Sequence, residues 1–328
     1  MGSPPFINEG GGAKVGRDRS FYLRRPMSIT VSHISKTYGT QKALDEVSFT
    51  VGGSEVVGFL GPNGAGKSTM MKILTCFIPP TTGEASVCGF DTRTASMDVR
   101  RNVGYLPEHN PLYLDLYVRE YLDFVAGIHG LNDRTRRVNA MVERVGLGRE
   151  QHKRIGQLSK GYRQRVGLAQ AIIHEPKVLI LDEPTSGLDP NQLVEIRALI
   201  KDLGREKTVL LSTHIMQEVE AICDRVIIID RGRIVADDKA STLRSRQQHH
   251  EVIEVEFDRA VEANLLLNVG GVVQARRNEG NTWLLAHDAA NDIRPAVFRF
   301  AVENGLQVLG LQKSERGLEE VFKELTRH

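Results

Sequence analysis

The chain has 328 residues, 41% of them hydrophobic, which allows two domains and a sizeable buried core. Its 43 basic and 41 acidic side chains leave a net charge of only +2, which gives no global argument for nucleic-acid binding. The three cysteines, Cys76, Cys88 and Cys223, lack Cys-x-x-Cys spacing. This pattern excludes a disulfide framework or a zinc site and fits a reducing cytosol.

The amino-terminal segment, residues 1–27, is predicted to be a disordered leader. It contains Gly10–Gly12 and the pair Pro4-Pro5, and it lacks the apolar stretch of a secretion signal. No window of the sequence approaches the ~20 consecutive apolar residues that span a bilayer. Folded sequence is expected from residue 28, with early strands at Ile29–His33 and Val47–Val51.

The most informative motif is a glycine-rich loop that fits the pattern G-x-x-x-x-G-K-[ST] at every fixed position. An apolar strand-like run, Glu55–Leu60, precedes it, and a helix-like segment follows. Its glycines allow successive N–H groups to face one concavity, and the helix N-terminus adds positive charge there. The alternative, a chance glycine turn, does not explain the lysine and the Ser-Thr pair. The loop residues are Gly61, Pro62, Asn63, Gly64, Ala65, Gly66, Lys67, Ser68 and Thr69.

These loop side chains predict nucleotide phosphate binding. Lys67 is expected to reach the β- and γ-phosphates, and the Ser68 hydroxyl is expected to ligate Mg²⁺.

A mostly helical stretch is predicted between about residues 91 and 165. Leu116–Ala126 and Arg134–Val145 carry apolar residues at three- and four-residue spacing. Gly127 and Gly146 lie near the ends of these predicted helices, where C-terminal stops are expected.

Strands return after this stretch, separated by helical patterns. Strands alternating with helices favour a mostly parallel sheet covered on both faces. A hairpin is predicted across the turn Arg231-Gly232. The strands are expected at Val178–Leu181, Thr208–Ser212, Val226–Asp230 and Arg233–Ala236.

Two acidic residues, Asp182 and Glu183, follow the apolar strand Val178–Leu181. Asp182 is expected to hold Mg²⁺ through its water shell, and Glu183 to orient and deprotonate an attacking water. The alternative is a charged strand end without a catalytic role, and the presence of the phosphate loop argues against it.

The segment Leu-Ser-Lys-Gly-Tyr-Arg-Gln-Arg, residues 158–165, precedes an apolar helix. Ser159 is well placed to cap that helix, and its hydroxyl and the Gly161 amide could bind an oxyanion. Because the segment is far from the phosphate loop in sequence, it could complete the site of another subunit.

A polar, basic stretch at residues 244–250 is predicted to be a linker or the end of a solvated helix, and its two histidines are expected to face solvent. Short alternating elements fill the carboxyl-terminal part after it. The order β-α-β-β-α-β plus a final helix favours a small ferredoxin-like domain. The expected strands are Glu251–Phe257, Val272–Arg276, Thr282–Ala286 and Leu306–Leu311, and the expected helices are Arg259–Asn268, Asn291–Asn304 and Gly317–Thr326.

Together, GPNGAGKST, LSKGYRQR, LDEPTSGLD (residues 181–189) and STH (residues 212–214) resemble the ATPase subunit of an ABC transporter. The motifs occur in that family's order and at its usual spacings. The resemblance implies an α/β fold: a P-loop NTPase ABC cassette over residues 28–240 with a helical subdomain at about 91–165. Residues 241–328 would form a small α+β accessory domain.

The resemblance also implies roles for matched positions. Tyr38 would stack on adenine, and His214 would contact the γ-phosphate and hold the Glu183 water geometry. Asp189 would lie at a dimer seam. The signature residues that would contact the γ-phosphate held by the opposite subunit are Ser159, Lys160, Gly161 and Tyr162.

One position departs from the family pattern. Where glutamine normally follows a Tyr-x-Pro segment, this chain has Glu108, a pure acceptor when ionised. Glu108 could still face Mg²⁺ and take part in catalysis. The segment from Glu108 to Tyr117 resembles the gliding-motility-associated ABC ATP-binding subunit within the ABC-2 exporter group, as does the carboxyl-terminal segment 317–326.

The implied machine is a homodimer, or a pair with a paralogous cassette, that binds two ATP and Mg²⁺. It would lie on the inner face of the cell membrane and drive export through integral-membrane permease subunits that dock on Pro111–Leu114. Ordinary core packing of that segment is the alternative.

Two other kinds of ABC protein fit this sequence less well. An ABC protein that acts on ribosomes usually carries two cassettes, whereas this chain has one phosphate loop. A chromosome ABC ATPase needs coiled coils or zinc modules, and the sequence has no sustained heptads. Glu183 and His214 argue against a non-hydrolysing clamp.

Overall fold

The computed structural model of the protein describes residues 28–241, 250–288 and 292–314. The predicted leader, residues 244–249 of the predicted linker and the predicted helix Gly317–Thr326 lie outside these ranges. None of the helices in the described ranges combines the length and the apolar character needed to cross a bilayer.

The strands and helices up to residue 239 alternate in the way the sequence predicts for a layered α/β fold. In chain order they are β1 (Ile29–Tyr38), β2 (Gln41–Val51), β3 (Val56–Leu60), α1 (Lys67–Leu74), β4 (Thr82–Val87), β5 (Phe90–Asp91), α2 (Ser96–Asn102), β6 (Val103–Leu106), α3 (Val118–Ile128), α4 (Arg134–Arg144), a 3-10 turn (Ile155–Gln157), α5 (Lys160–Ile172), β7 (Val178–Asp182), α6 (Pro190–Glu206), β8 (Thr208–Thr213), α7 (Met216–Ile222), β9 (Arg225–Asp230) and β10 (Arg233–Lys239).

A four-stranded antiparallel sheet has the order β2-β1-β4-β5. The predicted strand Val47–Val51 is longer than expected, because β2 begins at Gln41, directly opposite Tyr38 of β1. Strands β4 and β5 were not predicted, because their polar residues conceal the alternation of apolar and polar positions. Only Ala85 and Val87 of β4 are buried. This sheet packs on the central sheet around an apolar core that includes Phe49 and Phe59.

The central sheet has the order β10-β9-β3-β8-β7-β6, in which every pairing is parallel except β10 with β9. The predicted parallel sheet is therefore confirmed. The stretch predicted to be mostly helical contains strand β6, which pairs with β7 at the edge of the sheet. A Cβ on Gly104 would lie 2.0 Å from the carbonyl oxygen of Ala171, so helix α5 approaches this strand at backbone distance.

The two helices predicted from periodicity are present as α3 and α4, with shifted ends. Gly146 follows α4 with a φ of +70°, as expected for a C-terminal stop. Gly127 lies inside α3, and Gly130, with a φ of +63°, takes the left-handed conformation instead. Buried residues of both helices join the core formed by α5 and the central sheet.

The predicted hairpin of β9 and β10 joins the two sheets. Its turn residues, Arg231 and Gly232, have φ values of +47° and +78°. The Gly232 N–H donates to the Ala65 carbonyl at 2.9 Å, and the Gly232 carbonyl accepts from the Asp45 N–H at 2.8 Å. Arg233 also pairs with the Asp45 carboxylate. The turn therefore contacts the phosphate loop and strand β2 together.

The carboxyl-terminal elements follow the predicted order β-α-β-β-α-β. They are β11 (His250–Phe257), α8 (Ala263–Leu267), β12 (Val272–Arg277), β13 (Thr282–Asp288), α9 (Arg294–Glu303) and β14 (Val308–Ser314). Their antiparallel sheet has the order β12-β13-β11-β14, the arrangement of a ferredoxin-like unit. Trp283 is 5% exposed and packs in the core of this unit.

Candidate active site

The glycine-rich loop lies between the end of β3 and the start of α1, as its sequence context predicts. Gly66 has a φ of +110°, and a Cβ there would lie 2.5 Å from the Ala43 carbonyl oxygen. Gly61 is equally confined, since its Cβ would lie 2.4 Å from the Ile229 carbonyl oxygen. Only glycine fits at these two positions, which keeps the loop close to its neighbours.

Lys67 lies across this loop. Its Nζ donates hydrogen bonds to the carbonyl oxygens of Gly61 at 2.7 Å and Pro62 at 3.3 Å. The side chain is 7% exposed. Burial lowers the pKa of Lys67, and the charge of Glu183 is the largest of the opposing carboxylate effects. A buried ammonium held by two neutral carbonyls is a strong candidate for binding an anionic ligand.

Asp182 and Glu183 lie at the carboxyl end of β7, next to the end of β8. The Asp182 carboxylate accepts a hydrogen bond from the Ser212 hydroxyl. The backbone N–H of Glu183 donates to both the hydroxyl and the carbonyl oxygen of Ser212, at 3.1 and 3.2 Å. Glu183 has a φ of +49°, an uncommon conformation for a residue other than glycine. Ser212 therefore fixes both acidic residues.

The side chain of Glu183 meets two basic groups. Nδ1 of His214 lies 3.0 Å from each of its carboxylate oxygens, and Nζ of Lys67 lies 3.7 Å from Oε1. Burial raises the pKa of Glu183, and the hydrogen bond from His214 is the largest opposing effect. The structure thus brings together three residues that are far apart in the sequence.

A cleft of about 510 Å³ contains this group and reaches strand β1. Ten of the predicted site residues line it: Tyr38, Asn63, Gly64, Gly66, Lys67, Ser68, Thr69, Glu108, Glu183 and His214. Gly61, Pro62 and Ala65 belong to the same loop but do not line the cleft, and Asp182 is buried.

Three further residues line the cleft and were not predicted from the sequence: Gln41, Ala43 and Ser186. Gln41 and Ala43 enter it because β2 pairs with β1 immediately after Tyr38. Ser186 enters because the chain turns directly after β7: its N–H donates to the Glu183 carbonyl at 3.1 Å. The Pro-Thr-Ser-Gly sequence after Glu183 was the available signal for this turn.

Tyr38 is 49% exposed at one end of the cleft. The Nζ of Lys36 lies 5.3 Å from the centre of its ring, a cation–π distance. One face of an exposed aromatic ring at the mouth of a cleft can stack on a planar ligand.

The predicted signature residues lie outside this cleft. Ser159 caps α5 as predicted, accepting a hydrogen bond from the Tyr162 N–H at 3.5 Å. The Lys160 side chain lies against Gly187, and the Gln192 side chain lies against Gly161. Asp189 caps α6 by accepting from the Gln192 N–H at 2.9 Å.

One chain therefore does not bring the signature segment onto its own phosphate loop. Lys160 lines a neighbouring cavity, which shares Glu108 and Ser186 with the cleft.

The sequence and the fold are similar to those of known proteins. The ABC transporter family model matches residues 44–186. The bacitracin transport ATP-binding protein BcrA of Bacillus licheniformis is 33% identical over 301 residues, which cover 90% of this chain and 96% of that protein. The daunorubicin resistance ATP-binding protein DrrA3 of Streptomyces coeruleorubidus is 38% identical over 221 residues, or 66% of this chain and 70% of that protein.

Solved structures give the same result. An ATP-binding subunit of an ABC transporter has a TM-score of 0.61 at 32% identity, covering 66% of this chain and 92% of that one. The dimeric cassette MJ0796, in a post-hydrolysis state bound to ADP and Pi, has a TM-score of 0.60 at 27% identity, covering 64% of this chain and 98% of that one. The chain belongs to the ABC transporter family of ATP-binding proteins. It is an ATPase cassette of the kind that binds and hydrolyses ATP.

Proposed function

We propose that this ATPase energises export through separate membrane subunits of an ABC-2-type transporter. The observation that carries the catalytic part is the meeting of Lys67, Glu183 and His214 beside the phosphate loop. The transport part is supported by relatives named for bacitracin transport and daunorubicin resistance.

ATP is proposed to lie in the cleft with adenine on Tyr38 and its phosphates on residues 61–69. The loop N–H groups and the start of α1 favour anionic oxygens. Lys67 would exchange its hydrogen bonds to Gly61 and Pro62 for the β- and γ-phosphates. Because the ammonium is already at the loop, little side-chain ordering is required when the nucleotide binds.

The oxygen ligands of the cleft fit Mg²⁺. Ser68 and Glu108 line it, and Asp182 lies at the adjacent strand end. Mg²⁺ usually takes one or two protein ligands beside phosphates and water, which these oxygen atoms could supply. When bound, the ion would neutralise charge on the transferred phosphoryl group.

Glu183 is proposed to take the proton from the attacking water, with His214 as its orienting partner. Burial raises the pKa of Glu183, which makes its carboxylate a better proton acceptor. His214 lies in the same cleft, where its imidazole could also meet the γ-phosphate. Glu108 is proposed to accept a hydrogen bond at the metal or water position, since an ionised carboxylate cannot donate one.

The complete site is proposed to need two chains. Residues Ser159–Tyr162 lie outside the cleft of their own chain, so they would contact the nucleotide of a partner, with Asp189 near the seam. The partner would be a second copy or a paralogue. ATP that binds across two chains favours the closed pair, and hydrolysis releases it.

The membrane subunit is proposed to dock beside Pro111–Leu114. Leu112 is 9% exposed and belongs to the core, but Tyr113 is 55% exposed and Leu114 48%. Tyr113 lines an apolar groove of about 590 Å³ together with Phe124 and Ile128, which are also exposed. The groove fits an amphipathic segment of a partner. Docking of a membrane subunit on this groove would place the chain at the inner face of the membrane.

Two finer assignments complete the proposal. Residues 28–240 would form the ATPase domain, and residues 241–328 an accessory domain without catalysis of its own. A link to gliding motility is supported only by the resemblance of residues 108–117 and 317–326, and loss of gliding after deletion of the encoding gene would test it.

Glu183→Gln provides the main test, because it should trap the ATP-bound closed form. The variant would be purified from native membranes with ATP, and its stoichiometric partners identified. A multi-pass membrane protein would support the transporter. Ribosomes, DNA or only a second copy of the chain would contradict it while leaving the ATPase intact.

A further inference from the structure

A fully buried carboxylate, Glu218, contacts the two chain segments that carry Glu183 and His214. It belongs to the first turn of α7 and is 0% exposed. One carboxylate oxygen accepts a hydrogen bond from the Thr185 hydroxyl, and the other accepts one from the Thr213 hydroxyl at 2.7 Å. Both threonines are themselves buried, at 2% and 0% exposure. Burying a carboxylate is costly unless its oxygens are hydrogen-bonded, so these two contacts are needed.

The two threonines flank the two residues proposed to carry the chemistry. Thr185 lies two residues after Glu183, inside the turn closed by the bond from the Ser186 N–H to the Glu183 carbonyl. Thr213 immediately precedes His214. The Glu218 carboxylate thus links the segment that follows β7, which contains Glu183, to the end of β8, which His214 follows.

The backbone at both points needs such support. Glu183 has a φ of +49°, a conformation that persists only where the surroundings hold it. The His214 side chain is 47% exposed, so packing holds it only in part. The Thr213 hydroxyl also accepts from the Ile215 N–H at 3.0 Å, so this one hydroxyl links Glu218 to the backbone on the far side of His214.

We propose that Glu218 is a positioning residue for ATP hydrolysis: by holding Thr185 and Thr213, it keeps Glu183 and His214 at hydrogen-bonding distance. Glu218 is not among the residues that line the nucleotide cleft. The inference rests on the roles proposed for Glu183 and His214.

Steady-state ATP hydrolysis by the full-length chain tests this role with Glu218→Gln and Thr213→Val. Both should lower kcat by about 10- to 100-fold, because small misplacements of catalytic groups are costly. KM and the affinity for ATP should stay within about twofold, since the binding loop is untouched. Thr213→Ser keeps the hydroxyl and should recover most of the lost kcat. Glu220→Gln, the same change on the half-buried side of α7, is the matched control.

The split between kcat and KM, together with the recovery by Thr213→Ser, separates positioning from general loss of structure.

Two results would overturn the proposal. One is a folded Glu218→Gln protein with wild-type kcat. The other is a parallel loss of kcat and ATP affinity in Thr213→Val that Thr213→Ser does not recover, which would indicate a role in folding alone. If Glu218→Gln does not fold, Thr213→Val and Thr213→Ser decide. Wild-type hydrolysis by Glu183→Gln would instead contradict the role of Glu183 as general base. The Glu218 variants do not test that role, so failure of the one proposal can be distinguished from failure of the other.

Discussion

Nδ1 of His214 lies 3.0 Å from both carboxylate oxygens of Glu183. A contact to both oxygens leaves the carboxylate little freedom to rotate. The Nζ of Lys67 is 3.7 Å from one of those oxygens. Glu183 is therefore held between the ammonium group proposed to bind phosphate and the imidazole proposed to orient the carboxylate.

Removal of the carboxylate should separate binding from chemistry. Glu183→Gln is expected to lower kcat by about 10²- to 10⁴-fold, the usual contribution of a general base. Its affinity for ATP, measured by fluorescence titration, should be at least that of the wild type. Glu220→Gln serves as a control for the loss of one negative charge. Retention of more than about a tenth of wild-type kcat would contradict a base at Glu183.

The pH dependence of hydrolysis should report the same group. Glu183 must be ionised to accept a proton, and burial raises its pKa. Activity should therefore be lost as the pH falls through this raised pKa, at a higher pH than an ordinary glutamate, near 4.3, would give. A kcat profile recorded in constant-ionic-strength buffers would show it. A His214→Ala variant loses the largest effect that lowers the pKa of Glu183, so its acid limb should move further up.

Glycine at position 66 should be indispensable for stability as well as binding. Gly66→Ala combines a φ of +110° with a Cβ 2.5 Å from the Ala43 carbonyl oxygen. Gly89 has a φ of +82° but open space around a Cβ, so Gly89→Ala measures the backbone strain alone. Gly89→Ala should lower the free energy of unfolding by about 1–3 kcal/mol and Gly66→Ala by more. Equal losses in urea denaturation would contradict the steric argument.

Local sequence predicted the pieces of this site better than their surroundings. The phosphate loop, the strand before Asp182, the cap at Ser159 and the turn at Gly232 each depend on a few adjacent residues, and their local structure is observed. Strand β6 was not predicted, since its four residues become a strand only by pairing with β7.

Contacts between residues that are far apart in the sequence could not be predicted from local sequence patterns. Gln41 and Ala43 reach the cleft through strand pairing. Glu218 reaches the segments of Glu183 and His214 because α7 follows β8 and buries Met216 and Glu218 in its first turn, an orientation that periodicity over seven residues does not define.

The exposed groove should be needed for coupling and not for ATP binding. Tyr113→Asp is expected to leave ATP affinity within about twofold of wild type, since the side chain is 55% exposed outside the cleft. It should abolish the stimulation of ATPase activity by reconstituted membrane subunits, and transport with it. Phe90→Asp introduces the same charge at another exposed aromatic residue and should do neither. Unchanged transport by Tyr113→Asp would refute docking at this groove.

Mixing of two inactive variants should reveal a site shared between chains. Lys67→Ala damages the phosphate loop, and Ser159→Arg damages the signature segment. In a mixed symmetric dimer, one of the two composite sites keeps both wild-type halves. Random mixing should thus restore about a quarter of wild-type activity if the two sites act independently. Each variant alone is the control, and additive residual activities would argue that each chain hydrolyses ATP by itself.

The hydrogen bonds of Gly232 have a mechanical consequence. One short turn binds Ala65 of the phosphate loop and Asp45 of β2, which continues from the cleft residues Gln41 and Ala43. These two hydrogen bonds link the strand beside the proposed adenine position to the loop proposed to hold the phosphates, so that the two form one rigid unit. We expect little movement within this linked unit, so that a conformational change on nucleotide binding would take place between the two proposed chains.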